Sequence, residues 1–262
     1  MTTLIDAGAL APGERLAAPA ASGPLRRFGA LCLDLYRRGG RAMVIATPLV
    51  ALAVVPEFLQ HIVEIKLGMF ASIEAARAHG ADPLRMGFGY AKIAGLVLAM
   101  FAVARFWWTG SVGAALRVTP RALLRVALAI GLWFAWELPF DLLGRVVTNP
   151  LARAPLMILA AAGQMMICVY LVGALLDDRT MTLRRFLGQW RAALLMLVLI
   201  VLAYGPSFAL HMATHRVALG LHEALVGGIM AFDALVVGLL AALAGTALAL
   251  GYAAGTLQQL AR

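Results

Sequence analysis

The sequence predicts an all-α polytopic membrane protein: a bundle of about six transmembrane helices with an N-terminal amphipathic interfacial helix. Of its 262 residues, 63% are hydrophobic and only 13% are charged, about half of the charge that a soluble domain carries. The apolar residues also fall into six separate stretches. Each meets the requirement of roughly 20 residues for a helix that crosses a 30 Å hydrocarbon core.

The N-terminal region is predicted to hold a tail and one short helix. Residues 1–23 are rich in Ala, Gly and Pro and are expected to be disordered. In residues 24–40, Leu25, Phe28, Cys32 and Leu35 recur at helical spacing with arginines elsewhere on the wheel, which predicts an amphipathic helix on the cytoplasmic face. The Gly39-Gly40 pair is expected to end it, and residues 41–262 form the six-helix domain.

Six transmembrane segments follow from hydropathy, at about 42–59, 88–108, 122–143, 155–176, 192–212 and 224–253. The first contains Pro48 and Pro56, and its helix can continue past the membrane toward Phe70. Gly205-Pro206 predicts a kink in the fifth. The last segment is longer than a bilayer requires, so we expect it to tilt or protrude.

The distribution of arginine predicts that both termini are cytoplasmic. Most of the basic residues lie in the N-terminal region and in the second and fourth connections, and cytoplasmic loops carry such an excess. Together with the arginine- and alanine-rich composition, this favours a bacterial inner membrane. The arginines expected to contact anionic lipid headgroups are Arg26, Arg27, Arg37, Arg38, Arg121, Arg125, Arg184 and Arg185. They form no basic patch in a soluble module, so no nucleic-acid partner is predicted.

Histidines and carboxylates gather at the opposite, outer side. Three of them on the first span are spaced i, i+4 and i+7, and pairs on the third and fifth spans are spaced i and i+4, so each group occupies one helix face. The sixth span begins with two more and carries an acidic residue inside its apolar run. The candidate proton or cation site therefore comprises Glu57, His61, Glu64, Glu137, Asp141, His211, His215, His222, Glu223 and Asp233.

Three interpretations of these residues remain open. They can converge into a polar pocket, where imidazole and carboxylate suit zinc, iron or manganese and can pass protons. They can pair with basic residues of the same side, namely Arg85, Lys92, Arg145, Arg153 and Arg216. They can also lie at helix ends in water or headgroups without a special role.

Glu137 and Asp233 lie deepest in their apolar runs, where a charge costs about 2.5–3.5 kcal/mol on insertion scales. One interpretation is a proton or cation site between the third and sixth helices. The other is a pair of carboxylates that are protonated or bound to arginine. His222-Glu223 begins like the zinc-binding motif H-E-x-x-H, but the second histidine is missing.

The absence of a catalytic signature favours a non-catalytic membrane protein, an accessory, assembly or lipid-contacting factor, and no catalytic residue is named. The alternative is a small transporter or channel for protons or a divalent cation that uses the outer histidines and carboxylates. A membrane-embedded metalloenzyme comes third. No cofactor is predicted, with a divalent metal as the minor alternative. The expected partners are anionic lipids and another membrane protein.

Overall fold

The chain folds into ten helices, as seen in a computed structural model that describes Leu16 and residues 23–147 and 149–257. Within those residues there is no strand, which confirms the all-α prediction. The expected disordered tail lies, apart from Leu16 and Gly23, outside the described residues. The helices are α1 Pro24–Ile45, α2 Thr47–Lys66, α3 Ile73–Ala78, α4 Pro83–Thr109, α5 Val112–Leu116, α6 Pro120–Val146, α7 Pro150–Leu175, α8 Leu183–Phe186, α9 Trp190–Ala218 and α10 Glu223–Leu257.

Six of these helices are long and apolar enough to cross a membrane, as predicted: α2, α4, α6, α7, α9 and α10. Most of them extend a few residues beyond the predicted segments. The first segment is corrected, because α2 begins at Thr47 rather than 42 and continues to Lys66. Pro48, in its first turn, favours that start, since a helix leaves its first backbone N–H groups unpaired and proline has none.

The predicted end of the first helix at Gly39-Gly40 is wrong. Helix α1 continues to Ile45, and its buried residues Leu31, Leu35, Gly39 and Ala42 form one face. Because Gly39 has no side chain, α10 can pass directly against it. A Cβ added there would lie only 3.1 Å from the Leu243 Cα. The glycine therefore permits close packing of two helices and does not interrupt one.

Helix α10 forms the centre of the bundle. In its most apolar stretch 89% of the residues are buried, whereas the corresponding figure for α6 is 6%. Helices α1, α2, α4 and α9 pack around α10, while α6 packs mainly on α7 at the periphery. Most of α6 consequently lies away from the central helix.

Candidate metal centre

Three helices, α2, α9 and α10, bring histidines and carboxylates together at one end of the bundle, where α2 and α9 finish and α4 and α10 begin. We refer to this as the cluster end. Helix α2 contributes Glu57, His61 and Glu64 from one face, and all three are buried. Their spacing of four and then three residues places them on consecutive turns. Helix α9 contributes two histidines, α10 an aspartate, and α4 two basic residues.

Asp233 lies at the centre of the cluster and is completely buried. Its Oδ2 is 2.7 Å from Nδ1 of His211 and 3.0 Å from Nε2 of His61. The hydroxyl of Thr214 donates to its Oδ1. Among the described residues, no lysine or arginine contacts Asp233. A buried carboxylate is ordinarily paired with such a cation, so a set of imidazoles in that place is unusual.

His61 joins the three carboxylates. Its Nδ1 lies 3.0 Å from Glu64 Oε2, and its Nε2 lies 3.1 Å from Glu57 Oε1 as well as 3.0 Å from Asp233. A neutral imidazole has only one N–H, yet both ring nitrogens face carboxylate oxygens. One additional proton, on the imidazole or on a carboxyl group, satisfies the arrangement.

Two basic side chains of α4 close the charge balance. The Lys92 ammonium lies 2.8 Å from Glu57 Oε1, and Nε of Arg85 lies 3.1 Å from Glu64 Oε1. Gln60 donates to the same Glu64 oxygen at 3.2 Å. Three carboxylates therefore face two basic side chains and leave one negative charge, which one proton would balance and a divalent metal ion would more than balance. Arg85 and Lys92 thus pair with carboxylates, as one of the three interpretations held. Asp233 contacts histidines instead of a basic residue.

The donor atoms of Glu57, His211, His215 and Asp233 all lie within 4.8 Å of one another. Zinc bonds of about 2.0–2.2 Å place the ligand atoms of a tetrahedral site about 3.3–3.6 Å apart. Small side-chain rotations can therefore close this set around one ion. Two imidazoles with two carboxylates suit zinc, and also iron or manganese.

Two of these four residues have a buried polar atom without a hydrogen-bond partner among the described residues, Oε2 of Glu57 and Nε2 of His215. The His215 nitrogen is 3.5 Å from Asp233 Oδ2, which is too long for a good hydrogen bond. An unpaired buried polar atom costs about 1–3 kcal/mol. A shared metal ion would satisfy both atoms.

Comparisons with protein-family models, curated proteins and solved structures find no match to this chain. The site's chemistry therefore has to be inferred from its own residues.

The remaining candidate residues lie elsewhere. Glu137 is exposed on α6 and accepts a hydrogen bond from the Trp133 indole at 3.2 Å, so the structure does not bring it together with Asp233, as one of the two interpretations of this pair required. Asp141 pairs with Arg145 at 2.8 Å in an exposed contact of the same helix. At the start of α10, Glu223 is exposed, and His222 Nδ1 accepts from the Ala224 backbone N–H at 3.3 Å.

Thr214, like Gln60, is a cluster residue that the predicted site did not include. Thr214 follows His211 by three residues, which places both on the same face of α9. That spacing alone was a weak indication, because a threonine inside an apolar helix commonly bonds back to its own backbone.

The arginines expected to contact lipid differ in how they are held. Arg38 pairs with Asp34 at 2.7 Å, Arg125 donates to the Asp178 and Met181 carbonyls, and Arg185 donates to Thr180. The side chains of Arg26, Arg27, Arg37, Arg121 and Arg184 are exposed. Lipid contact by either group stays a prediction.

The cluster is closed on one side and approached by a cavity on the other. One turn from Asp233 and Glu57, the residues Ala53, Ala99, Val237 and Ala241 form a buried apolar layer. On the opposite side, a cavity of about 340 Å³ is lined by Glu64 and His215 among others. One cavity therefore reaches the edge of the cluster from the cluster end, and a second one, between α9 and α10, is lined by Thr214.

Proposed function

We propose that this chain is an integral membrane protein that retains a divalent transition-metal ion, of the zinc type, at Glu57, His211, His215 and Asp233. The observation that carries the proposal is the environment of Asp233: a fully buried carboxylate whose partners are imidazoles and a hydroxyl, with no lysine or arginine among the described residues. Paired imidazole and carboxylate donors of this kind are what such metals bind.

The packing beneath the cluster favours a retained ion over a conducted one. The apolar layer of Ala53, Ala99, Val237 and Ala241 lies between the donors and the other end of the bundle. A Cβ on Gly95 would overlap the Leu52 carbonyl oxygen, so α2 and α4 are in direct backbone contact there. A transport path needs polar groups across the full thickness of the membrane, and Glu137, which the transporter alternative would use, lies on a peripheral helix.

An accessory or lipid-contacting role stays a prediction. It assigns no use to the buried cluster, which is why we do not propose it first. The proposed location remains a bacterial inner membrane with both termini cytoplasmic. The helix directions support this arrangement: the arginine-rich connections lie at the end of the bundle opposite the cluster. The metal donors would then lie in the outer half of the membrane.

Metal analysis of the purified chain tests the proposal. After dialysis against zinc and removal of free ion, we expect about one zinc per chain, lost in His211→Ala and Asp233→Asn. His222→Ala is the matched control and should retain the metal, since that imidazole lies outside the cluster at the start of α10. A wild-type chain without zinc, or zinc content equal in all four proteins, would overturn the proposal. Zinc flux into vesicles that requires His211 would overturn retention and favour transport.

A further inference from the structure

The cavity beside the cluster has a lining of mixed character. We call it the vestibule and define it by Met69, Phe70, Arg77, Arg85, Met212 and Arg216, which line its volume of about 340 Å³ together with apolar neighbours and the edge of the cluster. It lies between the end of α9, the start of α4 and the segment around α3. Apolar side chains provide most of its wall, and three guanidinium groups provide its polar part together with Glu64 and His215 at the edge of the cluster.

The vestibule has an excess of positive charge. Arg85 is occupied, because it binds Glu64 at 3.1 Å and donates to the Gly80 carbonyl at 2.9 Å. Arg77 and Arg216 are exposed, and neither forms an ion pair with the part of the chain that the structure describes. Glu64, the one carboxylate in the wall, is already balanced by Arg85 and His61. Two cationic groups therefore face the cavity without an anion.

The position of the vestibule along α9 indicates where the anion comes from. Helix α9 has 29 residues and is about 43 Å long, whereas the hydrocarbon core is about 30 Å thick and the headgroup regions extend it to about 40–45 Å. Arg216 lies in the last turn of α9, and so at the level of the headgroups. At that level a phosphate group and the beginning of an acyl chain lie side by side.

We propose that the vestibule binds an anionic phospholipid, with its phosphate group between Arg77 and Arg216 and its first methylene groups against Met69, Phe70 and Met212. Guanidinium groups bind phosphate through charge-assisted, often bidentate hydrogen bonds. The apolar wall selects a lipid over a free phosphate ion. The inference stands on the charges and shape of the vestibule and does not require a metal in the cluster.

Lipid titration of the purified chain in a neutral detergent tests this assignment. The probes are phosphatidylglycerol, phosphatidylcholine with the same acyl chains, and inorganic phosphate, and binding is followed by native mass spectrometry. We expect phosphatidylglycerol to bind tightest. Each arginine removed should weaken that binding about fivefold, and therefore about 25-fold in Arg77→Gln/Arg216→Gln.

Two variants control for fold and for charge. Arg77→Lys/Arg216→Lys keeps both charges and should retain most of the binding. Arg153→Gln removes an exposed arginine that lines a different cavity, between α6 and α7, and should leave binding unchanged. Equal affinity for the two lipids, equal binding by free phosphate, or unchanged binding in the double glutamine variant would each overturn the proposal. Zinc content measured on the same samples reports separately on the metal centre.

Discussion

The ion pair of Lys92 with Glu57 provides a quantitative test of the charge balance in the cluster. The Lys92 ammonium nitrogen lies 2.8 Å from Glu57 Oε1. Glu57 is fully buried, and the Lys92 side chain is mostly buried as well, with 24% of its surface exposed. Lys92→Met keeps most of the side-chain volume and removes the charge. Glu57 is then left with His61, which already serves two other carboxylates.

The expected magnitude follows from the burial of the carboxylate. Removing one partner of a buried ion pair costs about 3–5 kcal/mol, because the other charge stays buried without compensation, whereas replacing both partners is about neutral. Lys92→Met should therefore lower the free energy of unfolding by about 3–5 kcal/mol. Lys92→Met/Glu57→Gln should recover most of that loss, since glutamine has nearly the shape of glutamate and no charge.

Unfolding in mixed micelles of increasing SDS content, in metal-free buffer, measures these differences, and Glu57→Gln alone completes the double-mutant cycle. Arg145→Met is the control, because Arg145 and Asp141 form an exposed pair of the same kind and exposed pairs contribute little. A loss below about 1 kcal/mol in Lys92→Met would refute the charge balance described here. A double variant as unstable as the single one would refute it equally.

Three further predictions concern packing, a buried arginine and protons. Gly95→Ala should destabilise the chain by about 1–3 kcal/mol through overlap with the Leu52 carbonyl, whereas Gly131→Ala, which meets open space on α6, should be neutral or stabilising by thermal unfolding. Arg105→Met should cost about 1–3 kcal/mol in the same assay, because the buried guanidinium donates to backbone carbonyls at the end of α5 and at the end of α7. Zinc affinity, measured by calorimetry, should fall as the pH is lowered from about 7.5 to about 5.5, since protons compete for imidazole and carboxylate donors; an affinity independent of pH would contradict this.

The six spans could be predicted because length and hydropathy alone decide whether a helix can cross a bilayer. The end of α1 could not. A glycine pair in an amphipathic pattern is typical of a helix end, and only the passage of α10 against Gly39 shows that the residue permits packing. That contact joins positions about 200 residues apart in the sequence, and no local pattern records it.

The sequence predicts which candidate residues share a face of one helix, but it does not predict which helices lie next to each other. The spacing of Glu57, His61 and Glu64 predicts a shared face, and so does that of His211 and His215. Glu137 and Asp141 show the same spacing, yet they lie apart because α6 packs mainly on α7 and not on the central helix. Which helices are adjacent depends on the fit of small residues along α10, a tertiary property that the polar spacing does not contain.

X-ray absorption spectroscopy at the zinc edge of the reconstituted chain tests the central claim most directly. Two imidazole nitrogens and two carboxylate oxygens at about 2.0–2.2 Å are the predicted ligands, with one imidazole lost in His211→Ala and no sulfur ligand. A zinc ion coordinated by water alone, or a spectrum identical in wild type and His211→Ala, would contradict a metal centre at Asp233.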